Sequence, residues 1–106
     1  MNSDFLTYQA QTSPHPLALE VSHAKGSYVY DTADKSYLDF IAGVSVNTLG
    51  HNHPKVSEAI KKQVDAYTHV MVYGEFIQEP QLALCKMLAR TLPKGLSSVY
   101  LTNSGT

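Results

Sequence analysis

The stretch LALEVSHAKGSYVYDTADKSYLDF, residues 17–40, limits what this chain can become more than any other. Val29 alternates with Tyr28 and Tyr30, and Leu38 alternates with Tyr37 and Asp39. A period of two places successive side chains on opposite faces of an extended strand. Between the two runs lies DTADK, a polar segment whose Asp and Thr oxygens can accept nearby backbone N–H groups. The pattern predicts a hairpin of strands Ser27–Asp31 and Ser36–Phe40. Lys25-Gly26 is expected to turn an earlier strand, about Leu17–Ser22, into it. The first fifteen residues carry little signal, and TSPHP reads as a loop or extended arm.

After residue 40 the period changes. IAGVSVNTLGHNHP is apolar but interrupted by Gly43 and Gly50, which suits backbone passing close to another segment. Pro54 then stands where its missing N–H costs least, at a first helical position. Val56, Ala59, Ile60, Val64 and Tyr67 follow at helical spacing, with Lys55, Glu58, Lys61, Lys62 and Asp65 elsewhere. A helix over Pro54–Thr68 is expected. A second opens near Gln78 with Pro80 in its first turn. Glu79 lies at its start and Lys86 and Arg90 late, as the helix dipole favours. Its buried face would be Leu82, Cys85, Leu88, Ala89 and Leu92, ended by Pro93 and Gly95. Ser98–Thr102 then reads as a strand.

Composition excludes several classes. Eight Lys plus Arg against nine Asp plus Glu give a net charge of −1, with no basic patch for nucleic acid. The longest uncharged stretches are broken by Gly, Asn and His, so no segment is expected to span a membrane. MNSDFLTYQA has neither a basic start nor an apolar run, so no signal peptide is expected there. Cys85 is the single cysteine and has no disulfide partner, which fits a reducing cytoplasm.

GHNHP brings His51 and His53 together, and Cys85 or His69 would be needed to complete a metal site. The spacing matches no zinc pattern, so the segment is read as a turn into the helix, with imidazoles making local hydrogen bonds. No metal site is assigned. Asp31 and Asp34 flank the DTADK turn and are read as acceptors of backbone N–H groups rather than as acid–base groups, and Asp39 is given no catalytic role either.

The chain closes on VYLTNSGT: a strand-like run, then Asn103-Ser104-Gly105-Thr106. A glycine there can take positive φ, so that consecutive backbone N–H groups point into one hollow, and Ser and Thr add hydroxyl donors. In α/β sheets such turns lie beyond the carboxyl ends of strands, where ligands bind. The tetrapeptide alone is a weak motif, and no Walker-type Gly-x-x-x-x-Gly-Lys-Ser/Thr occurs.

Together, GSYVYDTADKSYLDFIAGVSVNTLGHNHPKV and YGEFIQEPQLALCKMLARTLPKGLSSVYLTNSGT resemble the N-terminal part of class III aminotransferases, the pyridoxal-phosphate enzymes that include acetylornithine, ornithine and 4-aminobutyrate aminotransferases. The resemblance runs in family order over about Gly26–Thr106, and YLDFIAGV, GHNHP and NSGT are its most specific parts. It implies a fragment of an α/β, fold-type-I enzyme. Residues 1–50 would form the N-terminal arm and a small β-meander. Residues 51–106 would supply two helices and the opening strand of the cofactor domain.

The resemblance further implies pyridoxal 5′-phosphate as cofactor, its phosphate held by Ser104, Gly105 and Thr106. Substrate-facing positions would be Val44, after the glycine of FIAGV, and Tyr73, in the Tyr-Gly of the connector. A small-molecule amino donor, an oxo-acid acceptor and a homodimer are implied as well. An aminomutase or decarboxylating relative is an alternative within the class. A non-catalytic piece that self-associates through apolar faces is the alternative outside it. The chemistry needs a desolvated lysine and a carboxylate at the cofactor ring. The seven lysines here, Lys25, Lys35, Lys55, Lys61, Lys62, Lys86 and Lys94, match no such position, so no catalytic residue is assigned and the chain alone is expected to be inactive.

Overall fold

Lys25 pairs with Tyr28 across a two-residue connection, and this turn fixes the register of the meander. Its first residue, Gly26, takes φ +58, a conformation that glycine reaches without steric cost. The computed structural model describes residues 3–71 and 74–104. Strand β1 (Val21–Lys25) runs antiparallel to β2 (Tyr28–Asp31), with a bulge between Val21 and His23. Strand β3 (Ser36–Leu38) pairs antiparallel with β2, placing Tyr28 opposite Leu38 and Tyr30 opposite Ser36. The sheet order is β1-β2-β3. The rings of His23 and Tyr30, one on each of two paired strands, stack at 4.4 Å and 3°.

The DTADK segment turns around Asp31 as expected, whereas the Asp34 carboxylate, also read as an acceptor of backbone N–H groups, lies 4.0 Å from His23 Nε2. Asp31 Oδ1 accepts from the N–H groups of Ala33 (2.9 Å) and Lys35 (3.0 Å), and Oδ2 accepts from the Tyr37 hydroxyl at 2.9 Å. Asp34 sits at φ +63, a conformation Asp tolerates better than most residues, and its N–H donates to the Asp31 carbonyl.

Strand boundaries differ from the sequence pattern at two places. The first strand lies at Val21–Lys25 rather than about Leu17–Ser22, because Ala18 is left-handed (φ +49) and ends any extended run through the apolar residues before it. The third strand stops at Leu38 rather than Phe40, because Asp39 bends the chain by accepting N–H groups two and three residues on. The N-terminal segment, where the sequence carries little signal, contains a six-residue helix, α1 (Ser3–Tyr8). A four-residue helical segment, α2 (Ala42–Ser45), follows the sheet.

Helices α3 (Pro54–Ala66) and α4 (Glu79–Thr91) occupy the expected segments. Pro54 opens α3, and the His53 carbonyl accepts from the N–H groups of both Val56 and Ser57. Pro80 lies in the first turn of α4 after Gln78, with Glu79 at the positive end and Arg90 at the negative end. The expected burial of the α4 stripe is not realised: Leu82, Leu88 and Leu92 are 38–42% exposed. No described side chain in the chain is buried, so the apolar faces of α3 and α4 stay largely uncovered.

The strand expected at 98–102 is not formed. Those residues carry no ladder, and the β1-β2-β3 sheet is the one sheet among the described residues. A strand exists only with a neighbour to take its N–H and C=O groups, and β-like side chains do not supply one. The chain divides into two units, Met1–Ala66 and Tyr67–Thr106, the first holding the sheet and α3 and the second holding α4 and the NSGT segment.

Candidate functional site

The segment between β3 and α3 is built around one carboxylate. Asp39 Oδ1 accepts from the N–H groups of Ile41 (2.8 Å) and Ala42 (3.0 Å). Its Oδ2 lies 2.6 Å from His51 Nε2, both side chains being mostly enclosed (13% and 18% exposed). A carboxylate only accepts, so Nε2 carries the hydrogen. The hydrogen-bond network thereby assigns Nδ1 as the acceptor, and the Asn47 amide faces it at 3.3 Å. The imidazole bond, and then the Ala42 and Ile41 amides, hold the Asp39 carboxyl below its ordinary 3.8. Asp31 is lowered in the same way, first by the Lys35 amide and with a contribution from the Tyr37 hydroxyl.

His51 is itself tied to the sheet. Its N–H donates to the Gly26 carbonyl at 2.8 Å, and its carbonyl accepts from the Gly26 N–H at 3.0 Å. Gly50, at φ +84, packs so closely that a Cβ there would lie 3.1 Å from the Gly26 oxygen. This is the close backbone approach its place in the apolar stretch implied. Asn52 adds a bond from its amide to the Ala24 carbonyl at 3.0 Å.

Held by this frame, α2 is a turn of the left hand. Ala42, Gly43, Val44 and Ser45 have φ of +51, +61, +58 and +65. Ile41 and Val46 on either side are right-handed. For L-residues the left hand costs about 1–2 kcal/mol each, so the three non-glycine residues hold on the order of 3–6 kcal/mol of strain. A β-branched residue at positive φ is a rare outlier, and such strain concentrates at functional positions. Val44, the residue singled out as substrate-facing, stands on this turn 84% exposed. The hydrogen bonds Ser45 N–H to Ile41 carbonyl (3.1 Å) and Asn47 N–H to Ala42 carbonyl (2.9 Å) close the turn. Beside it, a cleft of about 300 Å³ is lined by Asn47, Leu49, His53, Val56 and Ile60, among others. His53 Nδ1 is enclosed there with no hydrogen-bond partner.

Of the two imidazoles expected to make local hydrogen bonds, His51 does so through both ring nitrogens, whereas His53 Nδ1 does not. Among the described residues no group of three or more His, Cys, Asp or Glu side chains could hold a metal ion. The Asp39–His51–Asn47 set was not foreseen, because twelve residues separate the carboxylate from the imidazole. The signal available was an Asp and an Asn flanking a Gly-containing apolar run that ends in His.

In the second unit, Ser104 is exposed, and its carbonyl accepts from the Thr102 hydroxyl at 2.9 Å, closing a tight turn. Ser104 offers a hydroxyl, a group that can donate to an anion. Gly105, Thr106 and the substrate-facing candidate Tyr73 lie outside the described residues.

Residues 8–106 match the family model for class III aminotransferases. The chain is 42% identical over 82 residues to the acetylornithine aminotransferase of Methanopyrus kandleri, covering 77% of this chain and 21% of that protein. It is 52% identical over 88 residues to the acetylornithine aminotransferase of Bacillus subtilis, covering 82% of this chain and 22% of that protein. The crystal structure of adenosylmethionine-8-amino-7-oxononanoate aminotransferase from Methanocaldococcus jannaschii superposes with a TM-score of 0.79 at 26% identity, over 90% of this chain and 23% of that one. The chain thus spans about a fifth of the length of the curated relatives it matches. Its structural neighbours are mixed α/β enzymes of fold type I, and the family is pyridoxal-phosphate-dependent. The chain belongs to the class III aminotransferase family.

Proposed function

We propose that the protein carrying this chain transfers an amino group from a small amino donor to an oxo acid, with pyridoxal 5′-phosphate as cofactor. The observation that carries this reading is the family match across residues 8–106. The names of the relatives favour a donor of the N-acetylornithine type.

Ser104, Gly105 and Thr106 would hold the cofactor phosphate through main-chain N–H groups and hydroxyls, with the exposed Ser104 hydroxyl among the donors. Bound there, the cofactor supplies the electron sink for the carbon from which a proton leaves. Val44 and Tyr73 would face the substrate: Val44 presents methyl groups to an apolar stem, and Tyr73 a hydroxyl beside an aromatic face. None of the seven lysines is given the proton-transfer role. Residues 1–50 serve as arm and meander, and 51–106 as the start of the cofactor domain, where 98–102 would find its strand neighbours. The enzyme acts as a homodimer in the cytoplasm. Among the described residues no helix is long and apolar enough to cross a membrane.

The test is an assay of the full-length protein with N-acetylornithine and 2-oxoglutarate, with and without added cofactor. Cofactor-dependent glutamate formation is expected. Cofactor binding without amino transfer to any oxo acid would refute the reading.

A further inference from the structure

We propose that Asp39, His51 and Asn47 are positioning residues: they hold the left-handed turn Ala42–Ser45 and so fix where Val44 meets the stem of the amino donor. The inference rests on the substrate-facing assignment of Val44 made above.

Four consecutive left-handed residues, three of them not glycine, do not persist in an L-chain without outside support. Support is present at both ends. At the entry, Asp39 Oδ1 takes the N–H groups of Ile41 and Ala42. At the exit, Asn47 donates its N–H to the Ala42 carbonyl, and its amide packs against the turn closely enough that a Cβ on Gly43 would lie 3.1 Å from Nδ2. His51 joins the two ends by bonding Asp39 through one ring nitrogen and Asn47 through the other. The backbone of His51 is in turn paired with Gly26 of the first hairpin. An unbroken chain of contacts therefore runs from the sheet through His51 to the turn that presents Val44. Val44 offers only methyl groups, so the part of the donor it reads is apolar, a methylene stem rather than a carboxylate.

The residues of this set hold no proton that the reaction moves, so their loss should weaken donor binding more than turnover. In the full-length protein, Asp39→Ala is expected to raise KM for N-acetylornithine about tenfold while kcat changes less than about twofold. Adding Ala42→Gly and Ser45→Gly to that variant should recover most of the loss, because glycine takes the left hand unaided. If Asp39→Ala does not fold, Asn47→Ala, which leaves the Asp39–His51 contact in place, carries the same expectation and the same glycine rescue. An unchanged KM, or a loss that the glycine pair does not recover, overturns the proposal. Val44→Ala and Val44→Phe separate the two levels. If they alter KM while the Asp39 and Asn47 variants do not, the positioning role alone fails. If they too leave KM unchanged, the assignment of Val44 fails with it.

Discussion

His51 Nε2 lies 2.6 Å from Asp39 Oδ2, and the two residues bracket the segment that contains the left-handed turn. Closing the segment with an imidazole and a carboxylate makes its integrity a matter of protonation as well as packing.

The Asp39 carboxyl is lowered in the fold, so the folded state favours the ionised form. The contribution is fully present above the ordinary value of 3.8 and is lost as pH falls from there through the lower folded value. Asp31 contributes with the same sign. Acid unfolding of the full-length protein, followed by circular dichroism, is therefore expected to steepen below that value. Asp39→Asn should flatten the steepening while lowering stability at neutral pH.

Tyr37→Phe removes one of the bonds that lower Asp31. The Asp31 carboxyl should then titrate closer to 3.8, with the Lys35 and Ala33 amides keeping part of the depression. Carboxyl carbon chemical shifts against pH read this directly, and an unmoved Asp31 titration would contradict it.

Gly50 and Gly26 face each other, yet they are unequal. A Cβ at Gly50 meets the Gly26 carbonyl at 3.1 Å, whereas one at Gly26 meets nothing within 4 Å. Both have positive φ. Gly50→Ala is expected to destabilise by about 1–3 kcal/mol through strain and the forced backbone shift. Gly26→Ala should cost less, since it carries the conformational penalty alone. Thermal melts of the two variants give the order.

How much of this was legible beforehand depends on the range of the interaction. The β2–β3 hairpin was readable because Tyr28, Val29 and Tyr30 alternate and Asp31 supplies its own turn acceptors. Helices α3 and α4 were readable because proline and apolar spacing are local signals. The Asp39–His51 bond was not, since its partners meet only after the intervening loop closes onto Gly26. Nor was the left-handed turn, because Ala-Gly-Val-Ser contains one glycine and its other three residues disfavour that hand. Residues 98–102 show the opposite failure: strand-forming side chains without the ladder that makes a strand.

The uncovered apolar faces carry a further consequence. Val56, Ile60 and Val64 on α3, with Leu82, Leu84 and Leu88 on α4, are all exposed. Exposed stripes of this kind drive association. The 106-residue chain alone should elute from size exclusion at an apparent mass that rises with concentration. Ile60→Glu together with Leu88→Glu should suppress the rise, and a concentration-independent monomer would contradict the expectation.

In the proposed aminotransferase, Ser104, Gly105 and Thr106 would form the phosphate cradle. A crystal structure of the full-length protein with pyridoxal 5′-phosphate tests this most directly. Phosphate oxygens about 2.7–3.2 Å from main-chain nitrogens and hydroxyls of residues 104–106 are the predicted result. A phosphate held by another segment, with these three residues making no contact to it, would contradict the account.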